Sequence, residues 1–182
     1  MLDESIVSEL EQRETDIKDH LRTLYNLVVD NNFRMVVELG AGQSTYVLTA
    51  AVLKTLGDFY SIDSEFSACT RGGFAGTGIL QQHSCYHFIE QDDLKSAEQF
   101  TTPIDFLFID SDHEYQHVLD TLRLWAFKVR SGGIIAMHDT DHSFGHAARV
   151  LEALNTFLTE QPGLFSVEHR KGCGGLSILK RL

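Results

Sequence analysis

The sequence predicts an α/β fold in which a mostly parallel sheet of seven strands is covered by helices on both faces. From Arg34 onward, short apolar runs alternate with longer amphipathic runs, as strands alternate with helices. The first five apolar runs are continuous rather than alternating, which is typical of parallel strands buried on both faces. The last two runs are joined by a glycine-rich turn, which predicts a C-terminal antiparallel hairpin.

Each element follows from a recognisable segment. The predicted strands are MVVELG, FYSIDSE, CYHFIEQ, IDFLFID, GIIAMHD, LFSVEHR and GGLSILKR. The first helix after the first strand is predicted to begin at Ser44 and to end at Gly57. Residues 66–84 are rich in glycine and lack periodicity, so we expect an irregular loop there that serves as a wall of the site.

The N-terminal residues carry a helical stripe. Its apolar positions, spaced by three, four or seven, are Ile6, Leu10, Ile17, Leu21, Leu24 and Val28. We therefore divide the chain into an N-terminal helical arm, residues 1–33, and a domain of residues 34–182. Three of these side chains, Ile6, Leu10 and Ile17, would also suit the seam of a homodimer.

Composition limits the classes of function. A chain of 182 residues with a formal net charge of −11 is poorly suited to binding nucleic acid or an anionic membrane. The acidic N-terminus lacks the apolar core of a signal peptide, and no apolar run is long enough to span a bilayer. The three cysteines form no CxxC pair, which favours reduced thiols. We therefore expect a cytoplasmic protein with a small-molecule ligand.

A glycine loop follows the first strand in the segment VVELGAGQST. Gly40 and Gly42 would let the backbone turn tightly and approach a ligand closely. A dinucleotide-binding loop requires a third glycine, and that position is Thr45. Glu38 precedes the loop, and its carboxylate would repel a diphosphate but would suit a cationic ligand. The loop therefore argues against a nicotinamide dehydrogenase.

The segment ELGAGQS resembles the first motif of the class I S-adenosylmethionine-dependent methyltransferases, an acid followed by GxG and a small residue. The resemblance implies a Rossmann-like methyltransferase fold and S-adenosylmethionine (SAM) as cofactor. It also implies that Gly40 and Gly42 contact the methionine part of SAM, with Glu38 nearby. Ser44 stands where the family often has a third glycine.

The same resemblance extends to the ends of the next strands. It implies that Asp63 accepts hydrogen bonds from the ribose hydroxyls and that Gln91 and Asp92 flank the adenine. Asp110, at the end of the fourth strand, would lie closest to the transferred methyl group. A second reading of Asp63 and Asp92 is that they cap the N-termini of helices, which is common in such folds.

Acids and histidines cluster after the fourth and fifth strands. FIDSDHEY and SGGIIAMHDT resemble the small bacterial methyltransferases related to catechol-type O-methyltransferases, in which acids at these strand ends bind a divalent metal. The resemblance implies a metal site at Asp110, His138 and Asp139. His138 stands where the family has a carboxylate, and this nitrogen ligand shifts the preference from Mg²⁺ toward Mn²⁺, Fe²⁺ or Zn²⁺.

Proton transfer without a metal is the alternative chemistry, with His113 or His138 as the acceptor. His142 and His146 follow His138 at intervals of four residues, which would cluster them if a helix began early. We favour surface positions for both.

The sequence thus favours a SAM-dependent methyltransferase that acts on a small molecule, with oxygen as the acceptor atom and Asp110, His113 and His138 as catalytic residues. Two alternatives stay open. One is a SAM-binding module without turnover, and the other is a metal-dependent hydrolase or hydroxylase that uses the same strand ends.

Overall fold

A computed structural model describes residues 2–65, 78–141, 145 and 147–182. The strands in this part of the chain are β1 (Met35–Leu39), β2 (Asp58–Asp63), β3 (Tyr86–Glu90), β4 (Ile104–Ile109), β5 (Val129–His138), β6 (Phe165–Arg170) and β7 (Leu176–Arg181). The α-helices are α1 (Ser5–Leu10), α2 (Lys18–Asp30), α3 (Gln43–Thr55), α4 (Asp93–Gln99), α5 (Tyr115–Trp125) and α6 (Ala147–Glu160). Every predicted strand is present, with ends that differ by a few residues.

The seven strands form one sheet in the order β3-β2-β1-β4-β5-β7-β6. Strands β1 to β5 pair in parallel, and β7 pairs antiparallel with both β5 and β6. The register aligns Leu39, Ile62, Ile109 and Met137 across four neighbouring strands. The residues that follow them are Gly40, Asp63, Asp110 and His138. Pairing alone therefore brings four predicted site residues to one edge of the sheet.

Helices cover both faces of the sheet, as the continuous apolar strands predict. Along β4, Phe106 and Phe108 pack with α1, α2 and α3, whereas Leu107 and Ile109 pack with α4, α5 and α6. This alternation follows from the two-residue repeat of a strand.

The N-terminal arm contains two helices rather than one continuous stripe, because residues 11–17 form a turn. Leu21 and Leu24 are fully buried and belong to the same core cluster as α3. Ile6, Leu10 and Ile17 are also buried, each at most 8% exposed. These three side chains fill the chain's own core, so they are not available as a dimer seam while the arm stays packed. The homodimer itself stays a prediction.

Glu38, in β1, has a completely buried side chain that anchors the residues following the glycine loop. Its carboxylate accepts hydrogen bonds from Ser44 Oγ (2.5 Å), Thr45 Oγ1 (2.7 Å) and Ser61 Oγ (2.8 Å). Burial raises the pKa of Glu38 to about 7, although the three hydroxyl hydrogen bonds act in the opposite direction. The carboxyl group therefore joins β1, the start of α3 and β2.

The predicted ends of α3 were wrong. The N-cap is Gly42, and the Ser44 hydroxyl donates to Glu38 instead of capping the helix. At the other end the C-cap is Leu56, which adopts the left-handed conformation (φ 57°) that a glycine was expected to supply.

Replacing Leu24 by alanine should lower the free energy of unfolding by about 2–5 kcal/mol, because it leaves a cavity in the core beneath the arm. Urea unfolding followed by circular dichroism measures the change. The control is Leu124→Ala, the same substitution on a side chain that is 42% exposed, with an expected change within about 0.5 kcal/mol. Equal effects would mean that the arm does not share the core.

Glu38 should make stability depend on pH. Its pKa rises from 4.5 to about 7 on folding, so the contribution of Glu38 to stability is fully present below pH 4.5 and is lost as the pH rises through 7. Glu38→Gln removes this titration, and the stability of the variant relative to the parent should increase between pH 5 and pH 8. Unfolding curves at both pH values measure the difference, and Glu98→Gln, on the exposed side of α4, is the control. A constant difference for Glu38→Gln would contradict the prediction.

Candidate cofactor and catalytic site

A cavity of about 330 Å³ opens at the edge of the sheet where the parallel strands end. Five residues predicted to bind the cofactor line it, namely Gly40, Asp63, Gln91, Asp92 and Asp110. Seven further described residues line it, although none of them was predicted to contact the cofactor, namely Ala41, Ile62, Ser64, Asp93, Ser111, Asp112 and His117. The cavity therefore lies where a parallel α/β sheet is expected to bind a ligand.

The first glycine of the loop is required by close packing. Gly40 has a φ of 88°, and a Cβ placed on it would lie 2.0 Å from the backbone oxygen of Asp110. Any side chain there would separate the loop from the end of β4. Glu38, Gly42 and Ser44 do not line the cavity, and their contact with a cofactor stays a prediction.

Two carboxylates on the cavity wall are held by backbone N–H groups. Asp63 accepts hydrogen bonds from the backbone nitrogens of Ala41 (2.9 Å) and Glu65 (3.0 Å). Asp92 is the N-cap of α4 and accepts from the backbone nitrogen of Lys95 (3.0 Å). The capping reading of Asp92 is thus confirmed, and the same side chain also lines the cavity.

Asp93 is buried and joins α4 to α5 through hydrogen bonds. Its carboxylate lies 2.7 Å from His117 Nε2 and accepts from Ser111 Oγ (2.8 Å) and Thr121 Oγ1 (3.4 Å). Its backbone oxygen accepts from Trp125 Nε1 (3.0 Å). In the sequence, this contact is signalled only by a second acid, Asp93, directly after the predicted helix cap Asp92, and by a histidine, His117, on the following helix.

Three side chains beyond β4 and β5 form a group with the composition of a metal site. One potential ligand atom each from Asp110, His113 and Asp139 lies within 4.8 Å of the other two. His113 Nε2 lies 2.8 Å from Asp139 Oδ2. The hydrogen bond to Asp139 raises the pKa of His113, and burial opposes that rise.

The surroundings of His138 differ from those expected of a metal ligand. Its Nε2 lies 2.7 Å from the backbone oxygen of Cys173 and 3.1 Å from that of Asp16. Its Nδ1 lies 3.3 Å from Asp110 Oδ1 and 3.5 Å from Asp139 Oδ2. Both ring nitrogens thus face oxygen acceptors, which favours the doubly protonated imidazolium.

The charges of His138, Asp110 and Asp139 stabilise one another. Burial lowers the pKa of His138, but its hydrogen bonds to Asp110 and Asp139 outweigh burial and raise that pKa to about 11. Burial would raise the pKa of Asp139, but its hydrogen bonds to His113 and His138 hold that pKa well below its ordinary value. In this arrangement His138 carries no free lone pair for a metal or a proton.

The turn between β6 and β7 encloses this group. Gly174 has a φ of 78°, and a Cβ on it would lie 2.1 Å from Asp139 Oδ1, so a side chain there would strain the backbone and displace the carboxylate. Cys173 (φ 43°) and Asp139 (φ 54°) both adopt left-handed backbone conformations, which are uncommon for residues other than glycine. Sequence reasoning missed this wall, because the turn and the arm contact His138 through backbone oxygens that any residue would supply. His142 and His146 lie outside the described residues.

The chain matches a family model. A model described as "Methyltransferase domain" matches residues 37–140, which include the glycine loop and the ends of strands β1 to β5. No curated protein sequence matches the chain significantly. In the described residues, every helix is too short or too polar to cross a bilayer.

Solved structures share the fold at low sequence identity. One is a putative caffeoyl-CoA O-methyltransferase from Staphylococcus aureus, with 15% identity and a TM-score of 0.71 over 89% of this chain and 82% of that one. A second is the O-methyltransferase from Bacillus cereus in complex with SAH, with 16% identity and a TM-score of 0.72 over 98% and 92%. A third is the O-methyltransferase TomG from Streptomyces achromogenes in complex with SAM, with 16% identity and a TM-score of 0.65 over 98% and 90%.

The fold and the family match agree with the residues at the site. The seven-stranded sheet with its closing antiparallel hairpin is the Rossmann-like methyltransferase fold that the sequence predicts. The chain belongs to the methyltransferase-domain family, and it is a class I SAM-dependent methyltransferase.

Proposed function

We propose that this protein transfers the methyl group of SAM to an oxygen atom of a small-molecule acceptor. The observation that carries the proposal is the charge of the cavity. Among the residues that the structure describes, five carboxylates line it and no lysine or arginine does. SAM carries an ammonium and a sulfonium, which favour such a wall, whereas a nucleotide diphosphate would be repelled by it.

In this proposal the cofactor extends along the row of strand ends. The methionine part lies against Gly40 and Ala41, and the ribose hydroxyls donate to Asp63. Gln91 and Asp92 flank the adenine. Asp110, which lines the cavity and also belongs to the group with His113, would then lie between the cofactor and the acceptor.

The acceptor would bind beside Asp110, His113 and Asp139. SAM supplies a methyl group on sulfur that a nucleophile attacks in line, so the protein has to position the acceptor and remove its proton. Carboxylate and imidazole groups are suited to receive a hydroxyl proton, which supports oxygen as the attacking atom. His138 would hold both carboxylates in place through Nδ1, while its Nε2 donates to the backbone oxygens of Cys173 and Asp16.

The same three residues would also hold a divalent cation. Two carboxylates and one imidazole, with ligand atoms within 4.8 Å of one another, fit Mn²⁺, Fe²⁺ or Zn²⁺ at least as well as Mg²⁺. A bound cation would lower the pKa of the acceptor hydroxyl. We place His113 in the set instead of His138, since the nitrogens of His138 lie against oxygen acceptors.

The setting of the reaction follows from charge and cysteine chemistry. The net charge of −11 and the acidic cavity support a small molecule rather than a nucleic acid as acceptor. Cys85 and Cys173 are free thiols, which supports a reducing compartment such as the cytoplasm.

Calorimetry with S-adenosylhomocysteine (SAH) tests the cofactor. Asp63→Ala should weaken SAH binding by about 10- to 100-fold, because a carboxylate that accepts from a diol is lost. The control is Asp58→Ala, at the opposite end of the same strand, which should leave the affinity unchanged. If the parent protein binds ADP but not SAH, the proposal is wrong.

Metal titration tests the second part of the site. Asp139→Asn and His113→Asn should each reduce the affinity of the metal-free protein for Mn²⁺ at least about tenfold, because each removes a ligand. His87→Asn, on a half-buried histidine paired with Asp58 outside the proposed site, is the control. Tight stoichiometric iron without SAH binding would favour the hydrolase or hydroxylase reading. SAH binding without turnover of any hydroxylated acceptor would favour the module without activity.

A further inference from the structure

The Asp93–His117 pair lies in the cavity wall, and the proposed chemistry makes no use of it. Asp93 is only 6% exposed, and one of its carboxylate oxygens lies 2.7 Å from His117 Nε2. Both residues line the cavity. A hydrogen-bonded pair needed only to join α4 to α5 would not have to face a cavity, so the position of the imidazole calls for a functional explanation.

The surroundings of Asp93 determine which nitrogen of His117 carries the proton. The other carboxylate oxygen of Asp93 already accepts from Ser111 Oγ (2.8 Å) and from Thr121 Oγ1 (3.4 Å). Since the carboxylate can only accept, His117 Nε2 donates to it. A neutral ring then has its lone pair on Nδ1. Within the part of the chain that the structure describes, this ring has no hydrogen-bond partner other than Asp93.

The position of the pair indicates which part of the cofactor it meets. Asp93 directly follows Asp92, and the proposed function places the adenine beside Gln91 and Asp92. The donors that adenine offers at its base edge are the two hydrogens of its 6-amino group. An unprotonated Nδ1 accepts such a hydrogen bond, whereas a 6-oxo group would present a second acceptor to it.

We infer that His117, oriented by Asp93, is a specificity-determining residue that accepts a hydrogen bond from the 6-amino group of the cofactor's adenine. The inference rests on the proposed function. It assigns His117 to recognition of the base and not to proton transfer from the acceptor, which the group at Asp110, His113 and Asp139 would perform.

The test compares SAH with its deaminated analogue, S-inosylhomocysteine, by calorimetry on the full chain at pH 8. The parent protein should prefer SAH about tenfold, since one hydrogen bond is lost and two acceptors oppose each other in the analogue. His117→Gln keeps a donor for Asp93 but has no acceptor at the position of Nδ1, and its preference should fall to within about twofold. His117→Asn places an acceptor near Nδ1 and should retain most of the preference.

The control variant is His87→Gln, which removes an imidazole from a comparable ion pair with Asp58 (3.2 Å) outside the cavity. Its preference for SAH should equal that of the parent protein. Nitrogen-15 spectra of the parent protein provide a reading that needs no variant to fold. The Nδ1 signal of His117 should be that of an unprotonated nitrogen and should shift with SAH but not with the inosyl analogue.

Three results would overturn the inference while leaving the proposed function intact. These are equal binding of both compounds by the parent protein, an unchanged preference in His117→Gln, and an equal loss of affinity for both compounds in His117→Gln. Failure of the parent protein to bind either compound would overturn the inference and the proposed function together.

Discussion

The site depends on the burial of one imidazole ring, that of His138, among oxygen atoms from four segments of the chain. Carboxylates of Asp110 and Asp139 lie at one nitrogen, and backbone oxygens of Asp16 and Cys173 lie at the other. A buried cation is stable only where such acceptors surround it. The ring therefore joins the N-terminal arm, the ends of β4 and β5, and the β6–β7 turn, and it offsets the repulsion between two neighbouring carboxylates.

Two other buried acids organise the rest of the cavity in a similar way. Glu38 accepts hydrogen bonds from hydroxyl groups near the glycine loop. Asp93 accepts them between α4 and α5, where it also pairs with His117. Each acid is satisfied by donors from different elements, so each determines how those elements meet. The carboxylates left facing the cavity, such as Asp63 and Asp110, can then serve a cationic ligand because the supporting network does not need to be rearranged.

The positions expected from the sequence agree with the structure where a residue directly follows the end of a parallel strand. Asp63, Asp92 and Asp110 were placed at the cavity because parallel strands end at a common edge, and the observed register puts them there. The orientation of side chains could not be predicted in the same way. The side chain of Glu38 turns into the core, and the nitrogens of His138 contact acceptors on distant segments. The predicted roles of both residues at a cofactor or a metal stay predictions.

The sequence by itself determined the order of strands and helices, the glycine loop, and the row of acids at one edge, because these depend on local periodicity and on the geometry of parallel pairing. Only the tertiary structure decided that His113 joins Asp110 and Asp139, that Asp93 orients His117, and that the arm belongs to the core. These features depend on contacts between separate elements of the fold and on backbone atoms that every residue carries. No pattern of neighbouring side chains encodes them.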